Sequence, residues 1–168
     1  MQPLTGMTRY VFFGFFLSHI PITLVVDAQV LLGPYYPQAL QDLLQFYIDT
    51  FSDPVMKLQP IWFTSLVSLE LLLEVPYFFA ATHYLYHYDS DRPYPEGFRY
   101  ASIAYGAHTC TNLVPILATI LFDDEHNLQL TQKLILAGFY LPYFVFPLGI
   151  LLFAVFGDGF TNNKAKLY

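Results

Sequence analysis

Four apolar stretches punctuate the chain, each reaching the roughly 20 residues that cross a ~30 Å hydrocarbon core. They run over about 10–32, 62–84, 100–121 and 134–156. None shows the ten-residue dyad alternation of a barrel strand, and lipid offers backbone groups no hydrogen-bonding partner, so the pattern predicts helices. The expected fold is all-α: an integral-membrane four-helix bundle with proline-kinked spans and a lumen-proximal ligand cavity, formed by one domain over 1–168. The first stretch is too long for a signal peptide, carries His19 and Asp27, and has no small-residue cleavage site after it. Between the first two spans, Pro37–Phe51 sets Leu40, Leu43, Leu44, Tyr47 and Phe51 at helical spacing. That spacing predicts an amphipathic helix lying on or capping the lumenal face.

Composition sharpens the membrane reading. Hydrophobic residues make up 55% of the 168 and charged residues only 12%, against roughly a quarter charged in soluble chains. Seven Lys and Arg against thirteen Asp and Glu leave a net charge of −6, which excludes a nucleic-acid binder that neutralises phosphates with a basic stripe. Cys110 is the single cysteine, so no disulfide framework exists. Nor does Cys110 have a His/Asp arrangement that would mark it as a nucleophile. Arg9, Arg92, Arg99, Lys164 and Lys166 fall on one side of a four-span topology, Lys57 and Lys133 on the other. The positive-inside rule then places both termini in the cytosol. The ending Lys164-Ala-Lys166-Leu-Tyr168 resembles a dilysine retrieval signal, an address for the endoplasmic-reticulum membrane with cycling to other endomembranes.

Each span carries one polar stripe. His19, Thr23 and Asp27 are spaced by four in the first, Glu70 and Glu74 in the second, and His108 and Asn112 in the third, while the fourth holds Tyr140 and Tyr143. A carboxyl at membrane depth is costly enough that it normally faces a helix-packed interior and marks a site. At ~1.5 Å per residue, His19, Glu74 and His108 fall near the midplane, Glu70, Asn112 and Tyr143 just above, and Asp27 at the lumenal rim. Pro21, Pro76, Pro115, Pro142 and Pro147 are expected to bend the spans around this layer and open a cavity. Apolar walls with a few polar groups suit a mostly apolar ligand bearing one cationic or hydroxyl group. Two carboxyls close together in low dielectric do not both ionise cheaply. Asp27 is therefore expected to be the anion and Glu70 the protonated hydrogen-bond donor. Asp53, in Ser52-Asp53-Pro54, reads as a turn or capping residue. A metal site from His19, His108 and Glu74 lacks any tight ligand spacing, and neither metal nor cofactor is expected.

Several runs carry a family resemblance: Phe16-Leu-Ser-His-Ile-Pro-Ile-Thr-Leu24 with Asp27, Phe51-Ser-Asp-Pro54, Trp62-Phe63, Glu70 with Pro76-Tyr-Phe78, and His108-Thr109 leading to Leu113-Val-Pro-Ile-Leu117. Leu121-Phe-Asp123 and Tyr140-Leu-Pro-Tyr143 extend it. In order and spacing the chain resembles the EXPERA family, and within it the sigma-2 receptor branch more than the emopamil-binding sterol isomerases. The resemblance implies an endoplasmic-reticulum protein, homodimeric, that binds sterols or cationic amphiphilic amines and regulates cholesterol homeostasis and trafficking. It implies partners among cholesterol-transport or lipoprotein-receptor membrane proteins, and no nucleic acid.

By the same resemblance Asp27 pairs with a ligand amine, Glu70 hydrogen-bonds Asp27, and Asp53 is a structural carboxylate. Glu74, Asn112, Tyr140 and Tyr143 then line the pocket. Two positions depart from the branch, which has Gln at the place of Glu74 and Thr at that of Asn112. The isomerases place a glutamate four residues after the histidine, where this chain has Thr23. Sterol double-bond migration needs an acid and a base, roles that His19, Glu70 and Glu74 supply only on paper. Binding without turnover is the expected activity, with an isomerase or a membrane scaffold as the alternatives.

Overall fold

The computed structural model describes residues 4, 6–87 and 94–157, and all the regular structure among these is helical. The first long rod, Gly6–Tyr35, consists of α1 (Gly6–Ile22), a wide π-helical turn at Thr23–Asp27, α2 (Gln29–Leu32) and a tight 3₁₀ turn. The chain then reverses into α3 (Gln38–Phe51) and α4 (Pro54–Leu58). A second rod, Ile61–Tyr86, joins α5 (Ile61–Leu69) to α6 (Val75–Tyr86) through another π turn at Glu70–Glu74. The unbroken α7 (Glu96–Phe122) follows, then α8 (Leu130–Tyr140) and α9 (Pro142–Phe156), which meet at Leu141. Lys164 and Lys166 lie outside the described residues.

Three of these helical rods are long and apolar enough to cross a membrane: Gly6–Tyr35, Ile61–Tyr86 and Leu130–Phe156. The third stretch expected to span is present as α7, whose 27 residues reach about 40 Å at 1.5 Å per residue. Its apolar content is lower than that of the other three because Ser102, Tyr105, His108, Thr109, Thr111 and Asn112 interrupt it.

The rods associate in antiparallel pairs. Along α1 and α6, the Arg9 guanidinium donates to Leu85 O at 3.3 Å and Phe16 packs on Phe78, both fully buried. Along α7 and α9, Arg99 Nε donates to Ala154 O at 2.8 Å, satisfying a carbonyl at the α9 C-terminus that the helix itself leaves free. At the far end of α7, Lys133 Nζ donates to Leu121 O at 3.1 Å in the same manner. Gly106 lets this pair close up, since a Cβ there would lie 2.6 Å from both Pro147 O and Leu151 Cβ.

Two apolar clusters result. An aromatic-rich one, including Phe16, Tyr77, Phe78, Phe98, Tyr105 and Phe153, fills the end where α1 begins and α9 finishes. The other gathers Val55, Met56, Phe63, Val67, Leu113, Ile120 and Leu136 beneath α3 and α4. Leu17, Leu72, Leu73, Phe79, Val114 and Val145 point outward and are exposed, a surface that hydrocarbon, not water, would cover.

The prolines act unevenly. α7 passes through Pro115 without interruption. Pro76 instead follows a change of register: Val75 N donates to Glu70 O, five residues back rather than four. In the first rod Ala28 N donates to Thr23 O at 2.9 Å, again five back, shortly after Pro21. Proline has no N–H to give the ladder, and a π turn is one way a helix accommodates the interruption.

Candidate functional site

Both π turns carry carboxyls of the site, Glu74 buried and Asp27 and Glu70 half-buried. Thr23 and Asp27 begin and end the first, Glu70 and Glu74 the second. The i, i+4 spacing read from the sequence as one α-helical turn is thus a wider turn in both rods. Thr23 Oγ1 donates to Glu70 Oε1 at 2.8 Å, tying the two turns together at one level. His19 Nε2 stands 3.8 Å from the same oxygen. Its ring stacks on Phe78 at 4.3 Å between centroids and lies 4.6 Å from Tyr143, and its Nδ1 is buried with no partner among the described residues.

One turn further toward the aromatic cluster, Glu74 Oε1 lies 2.8 Å from His108 Nδ1. Asn112 Nδ2 sits 3.1 and 3.3 Å from the two ring nitrogens of His108. With the His108 proton on Nδ1, donating to Glu74, Nε2 is left to accept from Asn112, so one tautomer satisfies the chain of three. Glu74 is 4% exposed.

These groups border a cavity of about 510 Å³. Asp27, Glu70 and Glu74 face it, as do His19, Asn112, Tyr140 and Tyr143, whereas no lysine or arginine does among the described residues. Its remaining wall is almost wholly apolar: Val26, Phe63, Val67, Leu113 and Ile116 from the rods, and Leu43, Leu44, Phe46, Tyr47 and Phe51 from α3. The amphipathic segment seen in the sequence therefore turns its apolar face onto the cavity. Gln29 anchors that wall, its Nε2 donating to Val25 O at 2.6 Å and to Leu40 O at 3.1 Å. The Tyr36 hydroxyl also donates to Leu24 O.

Asp53 stands behind the wall rather than in it. It is fully buried and caps α4, Oδ1 accepting from Val55 N at 3.0 Å and from Met56 N at 3.2 Å. Its Oδ2 accepts from Tyr47 Oη at 2.9 Å and Tyr140 Oη at 2.8 Å. Burial, followed by the nearby Asp53 charge, pushes the Tyr47 phenol well above the ordinary tyrosine value, so it stays a donor. One carboxylate thereby joins α3, α4 and α8.

The structure brings His19, Thr23, Glu70, Glu74, Asn112, Tyr140, Tyr143 and Asp27 to this region, with Thr23 buried behind Glu70 instead of on the wall. His108, by contrast, is reached through Glu74 and does not face the cavity. Sequence reasoning did not single out Gln29, Met56 or Phe139, which line it as well. Gln29 had a visible signal, being a polar residue inside an apolar run. No group of three or more His, Cys, Asp or Glu side chains able to hold a metal ion occurs among the described residues.

Comparison with known proteins adds identity to this geometry. The family described as EXPERA (EXPanded EBP superfamily) matches residues 39–154. The chain is 35% identical over 167 residues to Sigma intracellular receptor 2 of Xenopus tropicalis, covering 95% of both chains. It is 37% identical over 149 residues to the Homo sapiens protein of that name, covering 83% of this chain and 82% of the other. A more distant relative is Efficient mitochondria targeting-associated protein 19 of Schizosaccharomyces pombe, 27% identical over 139 residues and covering 82% and 69%.

Proposed function

The chain belongs to the EXPERA family and is a membrane protein of sigma-2-receptor type, and we propose that it binds sterols and cationic amphiphilic amines in its intramembrane cavity. The carrying observation is the cavity itself: apolar walls, three carboxyls and, among the described residues, no lysine or arginine facing it. Such a lining complements an apolar body with a positively charged or hydrogen-bond-donating head. Asp27 is the proposed partner of a ligand amine. Glu70, held by Thr23 and near His19, is its hydrogen-bonding neighbour, and aromatic groups such as Tyr143 support the bound cation. Asp53 takes the structural role, holding Tyr47 and Tyr140 in place behind the ligand.

In this reading α7 is the fourth span, and the rods form a four-helix bundle with both termini cytosolic. The protein is a homodimer of the endoplasmic-reticulum membrane whose ligand occupancy regulates cholesterol homeostasis and trafficking. Thr23 supports binding without turnover. Where a sterol isomerase carries a second carboxyl, this chain puts a hydroxyl whose proton is given to Glu70.

The test uses purified protein in nanodiscs, with a radiolabelled cationic sigma-type ligand and a Δ8-sterol measured side by side. Saturable amine binding is expected in the wild type, with at least a tenfold loss in Asp27→Asn and no sterol conversion. Conversion of the sterol, abolished in His19→Ala or Glu70→Gln, would instead establish the isomerase, since those two groups meet at one level of the cavity. Absence of saturable binding for either ligand would remove the receptor reading.

A further inference from the structure

Glu74 has a place in the cavity that the amine-binding reading does not use. Thr23 and Glu70 are hydrogen-bonded and so share a level. Asp27 lies four residues beyond Thr23 in the first rod, and Glu74 four residues beyond Glu70 in the antiparallel second rod. The two carboxyls therefore sit on opposite sides of that level, separated along the rods by roughly 12 Å at about 1.5 Å per residue. Glu70, midway, is occupied by Thr23 and His19. Glu74 faces the cavity too but is secured from behind by His108 and, through it, Asn112. A carboxylate has about four acceptor sites, and His108 takes one of them.

We propose that the cavity selects two-headed amphiphiles, holding an ammonium group at Asp27 and a second hydrogen-bond donor, ammonium or hydroxyl, at Glu74. This deepens the amine-binding reading and rests on it. Between the two levels Glu70 is taken up by Thr23, and the apolar wall beside it, Val67 included, accommodates the ligand's body. His108 and Asn112 act as positioning residues that keep the Glu74 carboxyl aimed inward. A one-headed amine leaves Glu74 with no donor from the ligand in a low-dielectric space, and two-headed ligands remove that penalty.

The experiment measures competition by three probes of equal chain length, decylamine, diaminodecane and aminodecanol, against a cationic sigma-type radioligand on the full chain in nanodiscs. Wild type, Glu74→Gln and Asp27→Asn are compared. In the wild type, either two-headed probe should compete roughly tenfold or more better than decylamine, the size of one charge-assisted hydrogen bond. Glu74→Gln should reduce that preference several-fold or more, and its helical circular dichroism and thermal unfolding report that the variant is folded. Expressing each competition against the probe's measured membrane-bound concentration removes lipid partitioning from the wild-type comparison, and comparing the probe ratio between wild type and Glu74→Gln cancels it again. Equal competition by all three, or a preference that survives Glu74→Gln, overturns the two-headed site alone. Failure of decylamine to compete in the wild type, or indifference to Asp27→Asn, instead overturns the amine-binding reading on which it rests.

Discussion

Asp53 illustrates how much a single buried side chain can organise. Two backbone amides and two phenols converge on its carboxyl, and without them a fully buried charge would carry a penalty of several kcal/mol. The sequence marked only half of this. Ser-Asp-Pro is a local turn and capping pattern, legible without any tertiary knowledge. Tyr140 is 87 residues away, and no local signal links it to Asp53. Removing that hydroxyl in Tyr140→Phe takes one charge-assisted hydrogen bond from a buried acceptor and should cost about 1.5–3 kcal/mol. Equilibrium unfolding in detergent checks the figure, with Phe139→Leu nearby as a packing control. A change below about 0.5 kcal/mol would show that the phenol contributes no net stability.

At the scale of elements, the π turns are the feature that apolar patterning does not reveal. The run lengths that set the spans are sums over many residues, but a change from four-back to five-back bonding affects one or two backbone amides. The prolines at 21 and 76 hinted at interruption without specifying its form, and Pro115, equally visible, interrupts nothing. A π turn behaves as one residue inserted into an α-helix. Deleting Leu72, which points outward at 69% exposure, should restore regular α-helix through Glu70–Glu74 while keeping α5 and α6 in phase. The expected outcome is a folded protein with near-native helical circular dichroism but amine affinity reduced more than tenfold, because Glu70 and Glu74 are re-aimed. Retained affinity would mean the wide turn is incidental.

The α7–α9 contact gives a second element-level prediction. Gly106→Ala forces a Cβ against backbone and side chain at 2.6 Å, and overpacking of this kind typically costs 1–3 kcal/mol. Gly138→Ala, with open space around it, should be neutral or stabilise by up to about 1 kcal/mol through helix propensity. Thermal unfolding of the two variants side by side distinguishes local packing from a general effect of adding a methyl to a helix.

Considered whole, the molecule is closed at one end by stacked aromatics and hollow at the other. The polar stripes on the separate rods were legible as stripes, and their approximate depths already grouped Glu74 with His108. What could not be read was which side chain serves which neighbour. That depends on rod rotation, which the two wide turns alter, and on α3 folding back across the hollow end. Nor did the sequence distinguish His108, which supports Glu74 from behind, from Asn112, which supports it and faces the cavity as well.

The attachment of α3 has a consequence in time. This wall is joined to the rods through side-chain contacts, Gln29 to the Leu40 carbonyl, Tyr47 through Asp53 to Tyr140, and Tyr47 and Phe51 against Phe139, and it is bounded by left-handed backbone at Ser52, with φ of 57°. Opening such a wall requires these links to part, and lid motions of that kind run on the microsecond-to-millisecond scale. Residence time then becomes a property of the fastening. Loosening a link speeds a guest's arrival and departure together, so two variants equal in affinity can hold the same molecule for very different intervals.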